Sequence, residues 1–168
     1  YGKQKYNLEN FVLKNKLPVL VLRLSKVYGD KQNDKTLLTS IIKNFQKKKL
    51  ITVAKDQYFN PVYVDDVVKV INLLCSRNIT GLFNLSGDRR YSRYQIVKKI
   101  KYFFKFKKQI KSCSIDDFNL PEKRPKDVSS SNKKLINTLN YKFKTIDFVL
   151  KKIKSKYSNV LRKRRNKS

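Results

Sequence analysis

The sequence has no histidine, no methionine and no tryptophan. It has two cysteines, four glycines and four prolines, and only 12 acidic residues against 41 Lys and Arg. Without histidine, and with Cys75 and Cys113 isolated rather than joined in a C-x-x-C pair, the usual nitrogen and sulfur ligands of a transition metal are missing, so no metal is expected. The cysteine usage gives no disulfide framework, and the sequence shows no secretory-signal pattern. The longest apolar run, "LPVLVLRL", is far shorter than the roughly 20 residues a membrane helix needs. These absences lead to the expectation of a cytoplasmic chain with no membrane span.

What is present belongs to a folded protein. A chain of 168 residues with 40% hydrophobic content has the length of one domain and buries roughly 70% of its unfolded surface. The formal net charge of +29 points to polyanions: nucleic acid or an anionic surface. A second explanation competes with that one. Lys, Asn, Ile, Tyr and Phe are abundant and alanine occurs once, at Ala54, which is the pattern that AT-rich codons produce. The lysines are also spread along the chain, as in "KKIKYFFKFKKQIK", and not gathered in one motif. Non-specific polyanion binding follows from the charge in either case. The sheet-borne aromatic motif and the glycine clamp of common RNA readers are both missing.

Periodicity predicts alternating helices and strands. Residues 1–16 read as a helix with Leu8, Phe11 and Val12 on its apolar stripe. "LPVLVLRLSKVYG" reads as a strand running into a glycine turn, apolar enough to be covered on both faces of a parallel sheet. "TLLTSIIKNFQKK" is an amphipathic helix and "LITVA" a short strand. "VDDVVKVINLLCS" is a helix opened by Asp65 and Asp66, whose charges suit its N-terminal dipole. "GLFNLSG" is a strand and "YSRYQIVKKIKYFF" a helix. The Pro- and Ser-bearing segment from Ile110 to Asn132 reads as a loop, "NKKLINTL" and "KTIDFVLKKIKSKY" as closing helices, and "RKRRNKS" as a basic tail. The class is α/β.

Tyr1 and Lys5 stand four residues apart, so on a helix they share a face. A phenol with an ordinary pKa of about 10 is a poor acid near neutrality, and a neighbouring ammonium lowers that value. Such a pair suits proton transfer to a carbonyl beside a nicotinamide. In a lysine-rich chain the spacing also arises by chance, as it does at Tyr94 and Lys98.

The order of motifs carries more weight than the pair. "YGKQKYNLE" is followed by "LPVLVLRLSKVYG", "DQYFNPVYVDDVVKVI", "GLFNLSGDRRYSRYQIVKKI" and "LPEKRPKDVSSSNKKL". Over residues 1–153 that order resembles the extended short-chain dehydrogenase/reductases, and within them the dTDP-4-dehydrorhamnose reductase branch, the RmlD-like substrate-binding family of the epimerase/dehydratase superfamily. The resemblance implies an α/β fold equivalent to the C-terminal part of a Rossmann-type reductase. Residues 1–30 then hold the catalytic helix and following strand of the dinucleotide domain, residues 31–155 mainly the substrate-binding domain, and residues 156–168 a basic tail. It implies reduction of a nucleotide-activated 4-keto sugar by NADPH or NADH. Tyr1 matches the catalytic acid and Lys5 its partner on the cofactor ribose. Arg23 and Ser25 match positions beside the nicotinamide, which agrees with the rule that ligands sit at the carboxyl ends of parallel strands. Glu9 matches a structural acid. Val27, Tyr28, Gln57 and Pro61 match the frame of the substrate site, and Arg124 the residue that reaches the nucleotide diphosphate, for which a bidentate guanidinium is suited. Asp65 and Asp66 read as helix-start and packing residues.

The departures are as informative. The family's glycine-rich phosphate turn is missing, as is the Ser/Thr that assists at the substrate carbonyl. A truncated or split-gene reductase is therefore expected, inactive alone and partnered by a separately encoded N-terminal Rossmann half or by a second copy in a homodimer. Epimerases and dehydratases of nucleotide sugars share Tyr/Lys and stay open as alternatives. So do the non-catalytic regulatory subunits of methionine adenosyltransferase and, from another class, a basic nucleic-acid-binding module.

Overall fold

The computed structural model describes residues 2–32, 34–47 and 50–165; for residues 157–165 it describes the helical backbone only. Helix α1 (Gly2–Lys14) leads into strand β1 (Leu20–Leu24) and the short β2 (Val27–Tyr28). Helix α2 (Leu37–Lys47) and strand β3 (Leu50–Ala54) follow, then β4 (Tyr58–Phe59) and β5 (Val62–Tyr63). Helix α3 (Val64–Ser76), β6 (Gly81–Leu85), β7 (Tyr91–Ser92), α4 (Arg93–Phe104) and β8 (Gln109–Cys113) come next. A 3₁₀ turn at Ile115–Asp117, α5 (Lys133–Leu139) and α6 (Ile146–Arg165) complete the chain.

Among the described residues the strands join in pairs: β1 with β6, β2 with β5 and β3 with β8, all parallel, and β4 with β7, antiparallel. Parallel neighbours joined through helices are what the alternating pattern predicts, and the α/β class holds.

Two apolar clusters hold these pieces. In the first, α2 turns Leu38, Ile41, Ile42 and Phe45 onto Ile96 and Ile100 of α4, with Leu150 and Ile153 of α6 closing the layer. In the second, α3 (Val67, Val70, Leu74) and α5 (Leu135, Leu139) pack on Phe83 and Leu85 of β6. Gly87 has a close-approach role. A Cβ there would run into the carbonyl oxygen of Pro61, so the turn after β6 admits no side chain.

Four findings differ from the sequence expectation. Strand β1 is not covered on both faces: none of its residues is buried and Leu24 is 53% exposed. Helix α1 buries nothing, leaving Leu8 and Phe11 in solvent. The segment read as one loop from Ile110 contains β8, whose side chains alternate too weakly to announce a strand; its pairing with β3 sustains it. Helix α6 also runs on to Arg165, through residues read as tail.

Candidate functional site

A polar cleft is built where β4, β7 and the start of α4 meet the proline-bearing loop. The pairing of Tyr58 with Ser92 brings Gln57, just before β4, beside Arg93, just after β7. The Arg93 amide donates to the Gln57 carbonyl at 2.9 Å, and its Nε donates to Gln57 Oε1 at 2.7 Å. Ser92 caps α4: its hydroxyl accepts from the Gln95 amide at 3.1 Å, while Gln95 Oε1 accepts from the Ser92 amide at 2.8 Å.

Arg124 reaches the same cleft from the opposite wall, and its loop is clamped on both sides. The Tyr58 amide donates to the Lys126 carbonyl at 2.7 Å and the Val128 amide to the Tyr58 carbonyl at 3.0 Å. Lys126 bridges Asp116 at 2.7 Å and Asp56 at 3.3 Å. Arg90 pairs with Asp127 at 2.8 Å while its guanidinium lies 3.7 Å over the Tyr58 ring. The loop that carries Arg124 is thus an ordered strap.

Two adjoining cavities, of about 280 and 220 Å³, share Gln57, Arg93 and Arg124 in their walls. Lys26 and Phe59 complete the smaller one; Thr52, Ile115 and Phe118 stand in the larger. Among the described residues no carboxylate lines either cavity, although Arg124 also borders a smaller recess that contains Asp116 and Glu122. Burial, and after it the charge of Arg124, push the Arg93 guanidinium below its usual pKa. Arg93 also sits at the first position of α4, where the helix dipole disfavours a cation. A cleft that holds two guanidinium groups and offers no acid is built to receive an anion.

Of the residues singled out in the sequence, Gln57 and Arg124 meet in this cleft. Tyr1 lies outside the described residues. Lys5 is exposed on α1, where its charge helps to hold the Glu9 carboxyl low, after the larger effect of the hydrogen bond from Arg23. Arg23 on β1 is committed to that acid, its Nε donating to Glu9 Oε2 at 3.0 Å. Ser25, at the carboxyl end of β1, donates its amide to the Leu85 carbonyl at 3.1 Å, and its buried hydroxyl has no hydrogen-bond partner among the described atoms. Val27 is half-buried on β2. Tyr28 is fully buried, its ring 5.9 Å from that of Tyr63, and burial raises its hydroxyl pKa. Tyr28 and the buried Pro61 do not stand in the cleft walls. Asp66 is a packing residue, accepting from Tyr141 Oη and from the Lys144 amide, both at 2.8 Å. Arg93 and Lys26 were missed in the sequence. The signal for Arg93 was present, since "YSRYQ" places a cation in the first turn of a capped helix.

Parallel strand pairs joined through helices define an α/β protein with a Rossmann-type fold. Residues 1–158 match the RmlD substrate binding domain, and the chain belongs to that family. The chain is similar to dTDP-4-dehydrorhamnose reductase of Bacillus anthracis solved in complex with NADP, with a TM-score of 0.78 and 24% identity over 93% of this chain and 55% of that one. It is also similar to the dTDP-4-dehydrorhamnose reductase of Clostridium acetobutylicum, with a TM-score of 0.74 and 22% identity over 96% of this chain and 55% of that one. Among curated proteins, methionine adenosyltransferase 2 subunit beta of Rattus norvegicus is 27% identical over 139 residues, 78% of this chain and 37% of the relative. The chain thus spans little more than a third of that relative and about half of the solved ones. Among the described residues no helix is long and apolar enough to cross a membrane.

Proposed function

We propose that this chain is the substrate-binding part of a dTDP-4-dehydrorhamnose reductase-like protein, which in its full form reduces a nucleotide-activated 4-keto sugar with NADPH or NADH. The observation that carries the reading is the paired Arg93 and Arg124 in a cleft without carboxylates. The two guanidinium groups hold the diphosphate, with Lys26 adding charge at the rim and Gln57 fixing Arg93. Tyr1 gives its phenolic proton to the carbonyl oxygen of the sugar, and Lys5 favours the phenolate that results. The nicotinamide, when bound, supplies the hydride. Lys5 and the unpartnered Ser25 hydroxyl fit the nicotinamide-ribose end of such a cofactor. No glycine-rich turn is available for its pyrophosphate, so that part of the site falls to residues this chain does not supply.

A second reading has its own support. The curated relatives include methionine adenosyltransferase subunits, and a chain of this fold that acts through a partner needs the cleft but no turnover. A dTDP-D-glucose 4,6-dehydratase of Dictyostelium discoideum, 27% identical over 88 residues, keeps dehydratase chemistry open as well. Fusing the dinucleotide-binding half of a solved reductase relative to this chain decides between them. The proposal expects cofactor oxidation on addition of a dTDP-4-keto sugar, lost in Tyr1→Phe by about 10²–10⁴-fold. A fusion that binds cofactor and sugar nucleotide but oxidises no cofactor contradicts the reductase reading; release of a dehydrated sugar then marks a dehydratase, whose cofactor is not consumed, and an unchanged sugar nucleotide leaves the partner role.

A further inference from the structure

Four lysines that are spread in the sequence line one groove along α4. There α4, the turn after it and α6 enclose a groove of about 860 Å³. Lys98, Lys101, Lys105 and Lys154 line it together with the rings of Tyr94, Tyr102 and Phe106, and no acid among the described residues does. The groove runs along α4 from Tyr94 to Lys105 and shares no lining residue with the two cavities of the arginine cleft.

We infer that this groove binds single-stranded nucleic acid, its lysines following the phosphates and its tyrosines stacking on bases. Helix-end dipoles account for Lys101 and Lys105 at the C-terminal turn of α4, but not for Lys98 in its middle. The aromatic component is independent of charge. Tyr102 is 83% exposed and meets Phe103 edge-on at 6.2 Å between centroids, which leaves most of its surface open to solvent. Lys98 Nζ lies 5.6 Å from the Tyr94 ring centroid, so a cation and a π-face are presented together. Phe106, stacked on Phe45 at 4.9 Å, fixes the groove wall to the core.

A positively charged channel with aromatic platforms is the arrangement that takes single strands without sequence preference. An acidic peptide pairs with the lysines and leaves the tyrosine faces unused. The +29 charge gives weak binding anywhere on the surface, so the stacking contribution is what identifies the site.

The test titrates the full 168-residue chain into a fluorescein-labelled oligouridylate of about 12 nucleotides at several salt concentrations, followed by anisotropy. Tyr102→Ala is expected to weaken binding about 5-fold or more, while Tyr102→Phe stays within about twofold of the parent. Neutralising Lys98 and Lys101 to Gln lowers the log–log salt slope by about 1.4, at roughly 0.7 per phosphate contact. The same change at the exposed Lys43 of α2 and Lys69 of α3 leaves affinity within about twofold. Parent-like binding by Tyr102→Ala, or equal losses from the control pair, overturns the inference in favour of diffuse charge. A Tyr102→Ala defect that appears only in co-sedimentation with phosphatidylserine vesicles overturns it in favour of a membrane.

Discussion

The Nε of Arg93 donates to Oε1 of Gln57 at 2.7 Å, so the guanidinium that opens α4 is answered by a neutral amide and not by a carboxylate. Three effects act against that cation: partial burial, the helix dipole and the charge of Arg124. Each becomes an asset once an anion enters, because a partly desolvated cation attracts more strongly than one in water.

Arg93→Gln should therefore separate binding from stability. Folding stability is expected to hold within about 1 kcal/mol, because the lost hydrogen bond is offset by relief of the dipole and of the charge repulsion. Affinity for dTDP should fall about 10-fold or more, as for loss of a hydrogen bond to a charged group. Chemical denaturation and calorimetry on the same samples read both quantities. A stability loss above about 3 kcal/mol would make Arg93 a structural tie.

Asp66 ties α3 to the segment between α5 and α6, accepting from Tyr141 Oη and the Lys144 amide. Asp66→Ala leaves two donors without their acceptor, and a loss of about 2–4 kcal/mol is expected in urea unfolding. Tyr141→Phe removes one of the two bonds and should cost about half as much. Equal and small effects from both would show that water replaces the carboxylate.

The helices and the strands β1, β3 and β6 were legible because their apolar spacing is strong: Leu37, Leu38, Ile41, Ile42 and Phe45 mark one side of α2 without ambiguity. Strand β8 was not legible, since Gln109, Lys111 and Ser112 say nothing of a sheet until β3 lies alongside. The site was half legible. Arg124 stood out beside its proline, and Gln57 stood in a motif of the family it resembles. Arg93 escaped because its meaning depends on the β4–β7 pairing that sets it next to Gln57, a contact across 36 residues. The exposure of β1 was legible in part: its apolar run asks for cover on both faces, and the sequence offers too few neighbouring strands to provide it, which leaves the strand uncovered.

The strap that carries Arg124 should loosen in acid. Hydrogen bonds from Ser114 Oγ and the Ile115 amide, both at 2.7 Å, help to hold the Asp56 carboxyl at a pKa of about 2. Ser129 and Arg90 hold Asp127 at about 2 as well. Both values lie below the unfolded value of about 3.9. Their stabilising effect is therefore complete above about pH 5 and is lost as the pH falls through about 2. Thermal unfolding should show an acid limb between about pH 4 and 2 that is shallower in Asp56→Asn and in Asp127→Asn, each also less stable near neutrality. An acid limb of unchanged depth in both variants would place the responsible carboxylates elsewhere.

The apolar face formed by α1 and β1 should govern self-association. Phe11 and Leu24 are 58% and 53% exposed, and among the described residues β1 has β6 as its one strand partner. Phe11→Glu combined with Leu24→Thr should lower the fraction of dimer and larger species in sedimentation velocity. Stability should stay within about 0.5 kcal/mol per site, as for exposed positions. A clear stability loss would mean that the two side chains are covered within the same chain.

Calorimetric titration of dTDP into this chain, in the parent and in Arg124→Ala, tests the central claim most directly. The arginine cleft is formed by residues of this chain, so binding should be measurable without any dinucleotide cofactor. It should weaken with salt and fall about 10-fold or more in Arg124→Ala, with Arg124→Lys recovering part of the loss because it restores the charge but not the planar fork. No heat of binding at millimolar dTDP, or the same affinity in parent and Arg124→Ala, would contradict the assignment of this cleft as the nucleotide diphosphate site.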